Sequence, residues 1–120
     1  MLFKNILLVG IGGAFGSVMR YLASHWVKQE SFPYATLLVN ILGSVLIGMV
    51  MGIASRQEGF GNWRLFLATG VCGGFTTFSA FAWENLQMLQ QQRYPAFALY
   101  TGGTLLFGLL AVTIGYWITK

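Results

Sequence analysis

Four long apolar runs, separated by loops too short to hold a folded unit, confine this chain to a bundle of helices in a membrane. A spanning helix needs about 20 mostly apolar residues. The runs extend from about Ile6 to Val27, Ala35 to Ala54, Trp63 to Leu89 and Ala96 to Ile118. Between them lie only Lys28–Tyr34, Ser55–Asn62 and Gln90–Pro95. Lipid offers no hydrogen bonds to loose backbone, so each run must satisfy its own peptide groups as a helix. Only 8% of the residues are charged, against about 25% in soluble domains. The expected fold is therefore all-α, one four-helix transmembrane domain spanning residues 1–120. The first run is too long for a secretory signal and lacks a small-residue cleavage pattern.

The formal net charge of +4 does not point to nucleic acid, because the bases are scattered at span ends, where their stems can lie along lipid and their heads reach water. Trp26, Trp63 and Trp117 sit near span ends, as interfacial aromatics do. Gly10, Gly12, Gly13 and Gly16 in the first span, and Gly43, Gly48 and Gly52 in the second, allow helix backbones to approach closely.

Against this apolar background a few polar and aromatic residues stand out. Asn40 lies inside an otherwise aliphatic stretch, and its amide brings two donors and one acceptor. The third run is interrupted by Gly73-Gly74 and Thr76-Thr77, which predicts a helix broken near Gly73–Thr76. Non-helical backbone at membrane depth persists only where protein buries it or where it lines a cavity, and such breaks are where transporters bind ions. Phe78 and Phe81 are three residues apart and share a helix face. A ring edge is electropositive and can meet an anion. Thr77, Ser79, Tyr100 and Thr104 add hydroxyls, the last two sharing one face of the fourth span. Donors carrying little full charge suit a small, strongly hydrated anion that must shed water yet still leave. Glu84 and Arg20 read as residues of an aqueous vestibule.

The charge distribution bears on assembly. One side of the membrane collects Lys4, Arg56, Arg64 and Lys120, and the other Arg20, Lys28 and Arg93. So small a bias gives no preferred orientation, and a chain that inserts both ways can form an antiparallel, dual-topology homodimer. Two helix breaks would then meet near the midplane, and their carbonyls could cage a Na⁺ ion without any carboxylate.

At these residues the chain resembles the Fluc (CrcB) family of fluoride channels along essentially its whole length. The resemblance rests on Gly12-Gly13-x-x-Gly16 with Arg20, on Thr36-Leu37-x-x-Asn40, and on the long motif from Thr69-Gly70 through Cys72-Gly73-Gly74-x-Thr76-Thr77-Phe78-Ser79-x-Phe81. It implies a passive fluoride-selective channel of the bacterial inner membrane that exports fluoride and confers fluoride resistance. The implied assembly is an antiparallel homodimer with two pores. Asn40, Phe78, Phe81, Thr77, Ser79, Tyr100 and Thr104 would line the pores, with Arg20 and Glu84 at the vestibule. The carbonyls of Gly73 and Thr76 would hold a structural Na⁺. Three positions depart from the family pattern: Ala80 stands where Thr is common, and Ala82 and Gly108 where Ser is common.

A proton-coupled four-helix multidrug exporter would fit the size and topology, but it needs a carboxylate in the first span, and this first span has only Arg20 at depth. A membrane scaffold would explain the glycines but not the joint occurrence of the break, the Thr pair and the aromatic pair. The sequence holds no nucleophile constellation, phosphate loop or His/Cys metal cluster, so no enzyme is expected, and the implied partners are fluoride, lipid and a second copy of the chain.

Overall fold

The computed structural model describes residues 1–28 and 31–120, so Gln29 and Glu30, within the expected loop Lys28–Tyr34, lie outside the described residues. Among the described residues there are helices and no strand. The elements are α1 (Leu2–Trp26), α2 (Tyr34–Arg56), α3 (Gly61–Arg64), a π-helical stretch Leu65–Cys72, α4 (Gly73–Phe75), α5 (Phe78–Gln90) and α6 (Tyr94–Thr119). Four stretches are long and apolar enough to cross a membrane: α1, α2, the composite Gly61–Gln90, and α6.

Each span is a few residues longer than its apolar run, because a helix continues past the hydrocarbon for as long as its backbone bonds can be made. Pro95, expected in a loop, sits in the first turn of α6. Its missing N–H falls there among groups without intrahelical partners, so nothing is lost. The α5–α6 turn closes with Gln92 in the left-handed region, φ 57°. Arg93 N–H bonds to Met88 O at 2.8 Å and Gln92 N–H to Leu89 O at 3.1 Å, the paired bonds of a Schellman cap.

Two helix pairs build the bundle, both through backbone contact at glycines. On α1, a Cβ at Gly12 would lie 2.6 Å from Phe66 O and 3.0 Å from Gly70 Cα, and one at Gly16 would meet Val71 O. The π-helical stretch thus lies directly on α1. Helices α2 and α6 run side by side in the same direction, with Gly48 against Val112 O and Gly115 against Val45 O. Large side chains such as Leu105, Leu109, Trp117 and Ile118 point outward, each more than half exposed. In a membrane that surface meets lipid or another protein rather than water.

The break in the third span is narrower than expected and begins later. Gly73–Phe75 remain helical, and only Thr76 and Thr77 take extended backbone, with φ/ψ of −88°/159° and −151°/120°. Gly74 serves close packing instead: an added Cβ would lie 3.0 Å from Gly13 Cα.

Gly48→Leu should separate α2 from α6 and destabilise the fold by more than about 1–3 kcal/mol, the usual effect of overpacking. Denaturation of the purified protein in mixed detergent micelles would measure this. An unchanged midpoint would mean that the two helices do not depend on backbone contact.

Candidate functional site

The break is held open by one side chain. Asn40, on α2, accepts the Thr77 N–H through Oδ1 at 2.9 Å and donates from Nδ2 to Thr77 O at 3.1 Å. Both polar groups of one extended residue are thereby satisfied at membrane depth. Thr77 then starts α5: its Oγ1 accepts the Ala80 N–H at 3.1 Å, and Ser79 Oγ lies 3.3 Å from it. A Thr with β-region dihedrals at that position is a favoured N-cap. Thr77, expected as a pore group, is thus the N-cap of α5, and Ser79, expected with it, lies beside it on the exposed surface.

These bonds change what the upstream carbonyls meet. In a continuous helix Gly73 O would take the Thr77 N–H and Thr76 O the Ala80 N–H. Asn40 Oδ1 takes the first and Thr77 Oγ1 the second. Both carbonyls are thus released from their helical donors, and neutral carbonyl oxygens are the donor type a hard monovalent cation accepts. Gly73 is exposed on the chain's surface, and an added Cβ there would come no closer than 3.8 Å to Ala68 O. Among the described residues no group of His, Cys, Asp and Glu could hold a metal ion.

Below the break lies an open groove of about 340 Å³, lined by Asn40, Ser44, Thr76, Thr77, Phe78, Phe81, Thr104 and Gly108 among others. Among the described residues no carboxylate or basic side chain contributes to it. Phe78 and Phe81 both face it, but unequally. Phe81 is 8% exposed, with its ring 5.0 Å from Tyr100 and 5.9 Å from Phe78, whereas Phe78 is 77% exposed. Thr104 brings a buried hydroxyl that has no hydrogen-bond partner. A polar atom so placed costs about 1–3 kcal/mol unless something binds it.

Tyr100 stands above the groove rather than in its wall. Its hydroxyl donates to Glu84 Oε1 at 2.8 Å, while Thr36 Oγ1 donates to Oε2 at 2.8 Å. Glu84 thereby ties α2, α5 and α6 together. It also lines two polar cavities, one of about 130 Å³ with Arg20, Ser24 and Thr36, and one of about 270 Å³ with Gln87, Gln91 and Arg93. Arg20 donates from Nε to Gly74 O at 3.1 Å, so the cation also satisfies a carbonyl in the last helical turn before the break. Arg93 donates to Ser31 O across the mouth of the second cavity.

Ser44 and the bonding role of Thr36 were not singled out in the sequence. Their signal was the spacing Thr36, Asn40, Ser44, a polar stripe at every fourth residue of an apolar helix.

Residues 7–116 match the family described as "CrcB-like protein, Camphor Resistance (CrcB)". A protein of Phocaeicola vulgatus named fluoride-specific ion channel FluC is 42% identical over 120 residues, covering 98% of this chain and 99% of that protein. Proteins of the same name from Leptospira interrogans and Thermus thermophilus are 43% and 46% identical, covering 98% and 94% of this chain and 95% and 91% of theirs.

Asn40→Leu removes both partners of the Thr77 backbone and should destabilise the protein by about 2–4 kcal/mol, the effect of two buried polar groups left unmade. Detergent denaturation would read it, and a wild-type midpoint would mean that the break holds without the amide.

Proposed function

The chain belongs to the CrcB-like family, and on that premise we propose that it is a fluoride-selective passive anion channel of the plasma membrane, and not an enzyme. The observation that carries this reading is the near-full-length identity of 42–46% to proteins named fluoride-specific ion channels. The groove's chemistry supports it. An anion there would meet the second Nδ2 hydrogen of Asn40, the unpartnered Thr104 hydroxyl and the edges of Phe78 and Phe81. It would also lie near the N-terminal end of α5, whose peptide dipoles favour negative charge. With no fixed cation in the groove, nothing holds the anion permanently. Arg20 and Arg93, in the cavities beside Glu84, would raise the local anion concentration.

The groove is open along one side, and Phe78 and Gly73 are exposed there. A second copy in antiparallel orientation would close it, giving two pores per homodimer. The Gly73 and Thr76 carbonyls from both copies would hold one Na⁺, which when bound supplies a fixed positive charge between the subunits. The chain's own part is to present those oxygens, which Asn40 and Thr77 do by diverting the competing N–H groups.

Such a pore needs no energy source. Hydrogen fluoride crosses membranes as a neutral acid and ionises inside. A membrane potential is worth ~2.3 kcal/mol per charge per 100 mV, which favours outward fluoride by roughly 50-fold. The alternative of proton-coupled export is disfavoured because α1 carries no Asp or Glu.

Purified protein in liposomes loaded with fluoride and chloride, with valinomycin as the K⁺ shunt, should release fluoride rapidly and retain chloride. Release only under an imposed proton gradient would mean a coupled exporter, and no release would remove the channel reading. Phe81→Ile should slow fluoride release by about two- to tenfold, the loss of a contact of about 0.5–1.5 kcal/mol, while the oligomer keeps its elution volume. Wild-type release in that variant would take the aromatic pair out of the mechanism.

A further inference from the structure

Helices α2 and α6 face each other with two polar stripes in register. Thr36, Asn40 and Ser44 run down α2, and Tyr100, Thr104 and Gly108 run down α6, each at four-residue spacing. At the first level Thr36 and Tyr100 both donate to Glu84. At the second, Asn40 faces the groove beside the unpartnered hydroxyl of Thr104. At the third, α6 has no side chain to offer. A Cβ built on Gly108 would lie 3.8 Å from Ser44 Oγ, so the groove wall at that level belongs to the serine. One turn further along α2 the lining is Ile47, which has no donor.

We propose that Ser44 is a further anion-contacting hydroxyl, the one that receives a dehydrated anion leaving Thr104 at the level where α6 is bare. This rests on the channel reading above. The Ser44 hydroxyl now donates to Asn40 O at 2.6 Å, but that carbonyl is also the acceptor for the Ser44 N–H within α2. Releasing the hydroxyl therefore leaves the carbonyl bonded, and back-bonds of this kind contribute little to a helix. The proton can turn from the carbonyl to an anion in the groove while the backbone stays fixed. Without Ser44 the anion would pass directly from one hydroxyl into an apolar exit, still stripped of water.

Gly108 supplies the test, because the space around it admits a side chain at ordinary contact distance. Fluoride release from liposomes is measured for the wild type, Ser44→Ala, Gly108→Ser and the double variant. Ser44→Ala should release fluoride about tenfold more slowly or worse, the loss of one hydrogen bond to an ion, with an unchanged elution volume. The double variant should recover most of the rate, since the hydroxyl returns from the opposite wall. Wild-type release in Ser44→Ala overturns the assignment. So does slow release that Gly108→Ser fails to restore, because a hydroxyl acting only on the α2 backbone cannot be replaced from α6. If Ser44→Ala does not assemble, Ser44→Cys keeps the size with a poor donor and is read the same way. If the wild type itself releases no fluoride, the channel reading falls and this assignment with it, whereas a conducting wild type with an indifferent Ser44 sinks this assignment alone.

Discussion

One amide holds the site together. By bonding both the N–H and the C=O of Thr77, Asn40 does for an extended residue what the helix does for its neighbours. Backbone polar groups at membrane depth are rarely left unmade, so without such a clamp Thr76 and Thr77 would have reason to rejoin the helix. Three features of the site follow from this one grip. The Gly73 carbonyl loses its helical donor, α5 gains a new N-terminus within the span, and Thr77 becomes free to cap it. An isolated Asn in a span is usually worth only about 0.6 kcal/mol as a cross-helix bond. Here its importance lies in the conformation it makes affordable rather than in its own energy.

The clamp works only if its surroundings are rigid. Helix α2 carries Asn40, and its position is set by backbone-to-backbone contact with α6 at Gly48 and Gly115. The upstream half of the third span is set in the same way by α1, through Gly12, Gly16 and Gly70. Arg20 adds a directed bond from α1 to Gly74 O in the last turn before the break. Glu84 locks the downstream half through Thr36 and Tyr100. The break is therefore anchored on both sides, and the charged residues do structural work as well as electrostatic work.

Much of this was legible in the sequence, and what was not has physical reasons. The apolar runs located all four spans, because lipid leaves a backbone few other choices. Most of their ends ran one to four residues further in the structure, and α1 stopped one residue short of Val27, since hydropathy reports the hydrocarbon boundary and not the last hydrogen bond. The Gly pair and the Thr pair together point to a break near Gly73–Thr76. In the bundle Gly74 is instead the space into which Gly13 fits, and the extended residues are the β-branched pair, Thr76 and Thr77. The cation Arg20 gave no sign of its carbonyl partner, because that contact joins residues 54 positions apart. The π-helical winding of Leu65–Cys72 leaves no mark in a sequence where nearly every residue is apolar. Ser44 was the missed residue with a visible signal, four positions beyond Asn40 on the same face.

The unequal exposure of the two phenylalanines carries the synthesis one step further. Phe81 is fixed by Tyr100 and Phe78, while Phe78 lies on the outer surface beside the break and close in sequence to the exposed Gly73. On the channel reading a ring that presents its edge to an ion has to be held at an angle, and among the described residues Phe81 has two ring neighbours where Phe78 has one. On the channel reading proposed above, the second wall for Phe78 comes from outside the chain. The same surface carries the carbonyls whose donors have been diverted and the open side of the groove. On the proposed channel reading the open side of the groove needs a closing surface, one that can face the amide of Asn40 and the ring of Phe78. On that reading a second copy of this chain supplies the surface.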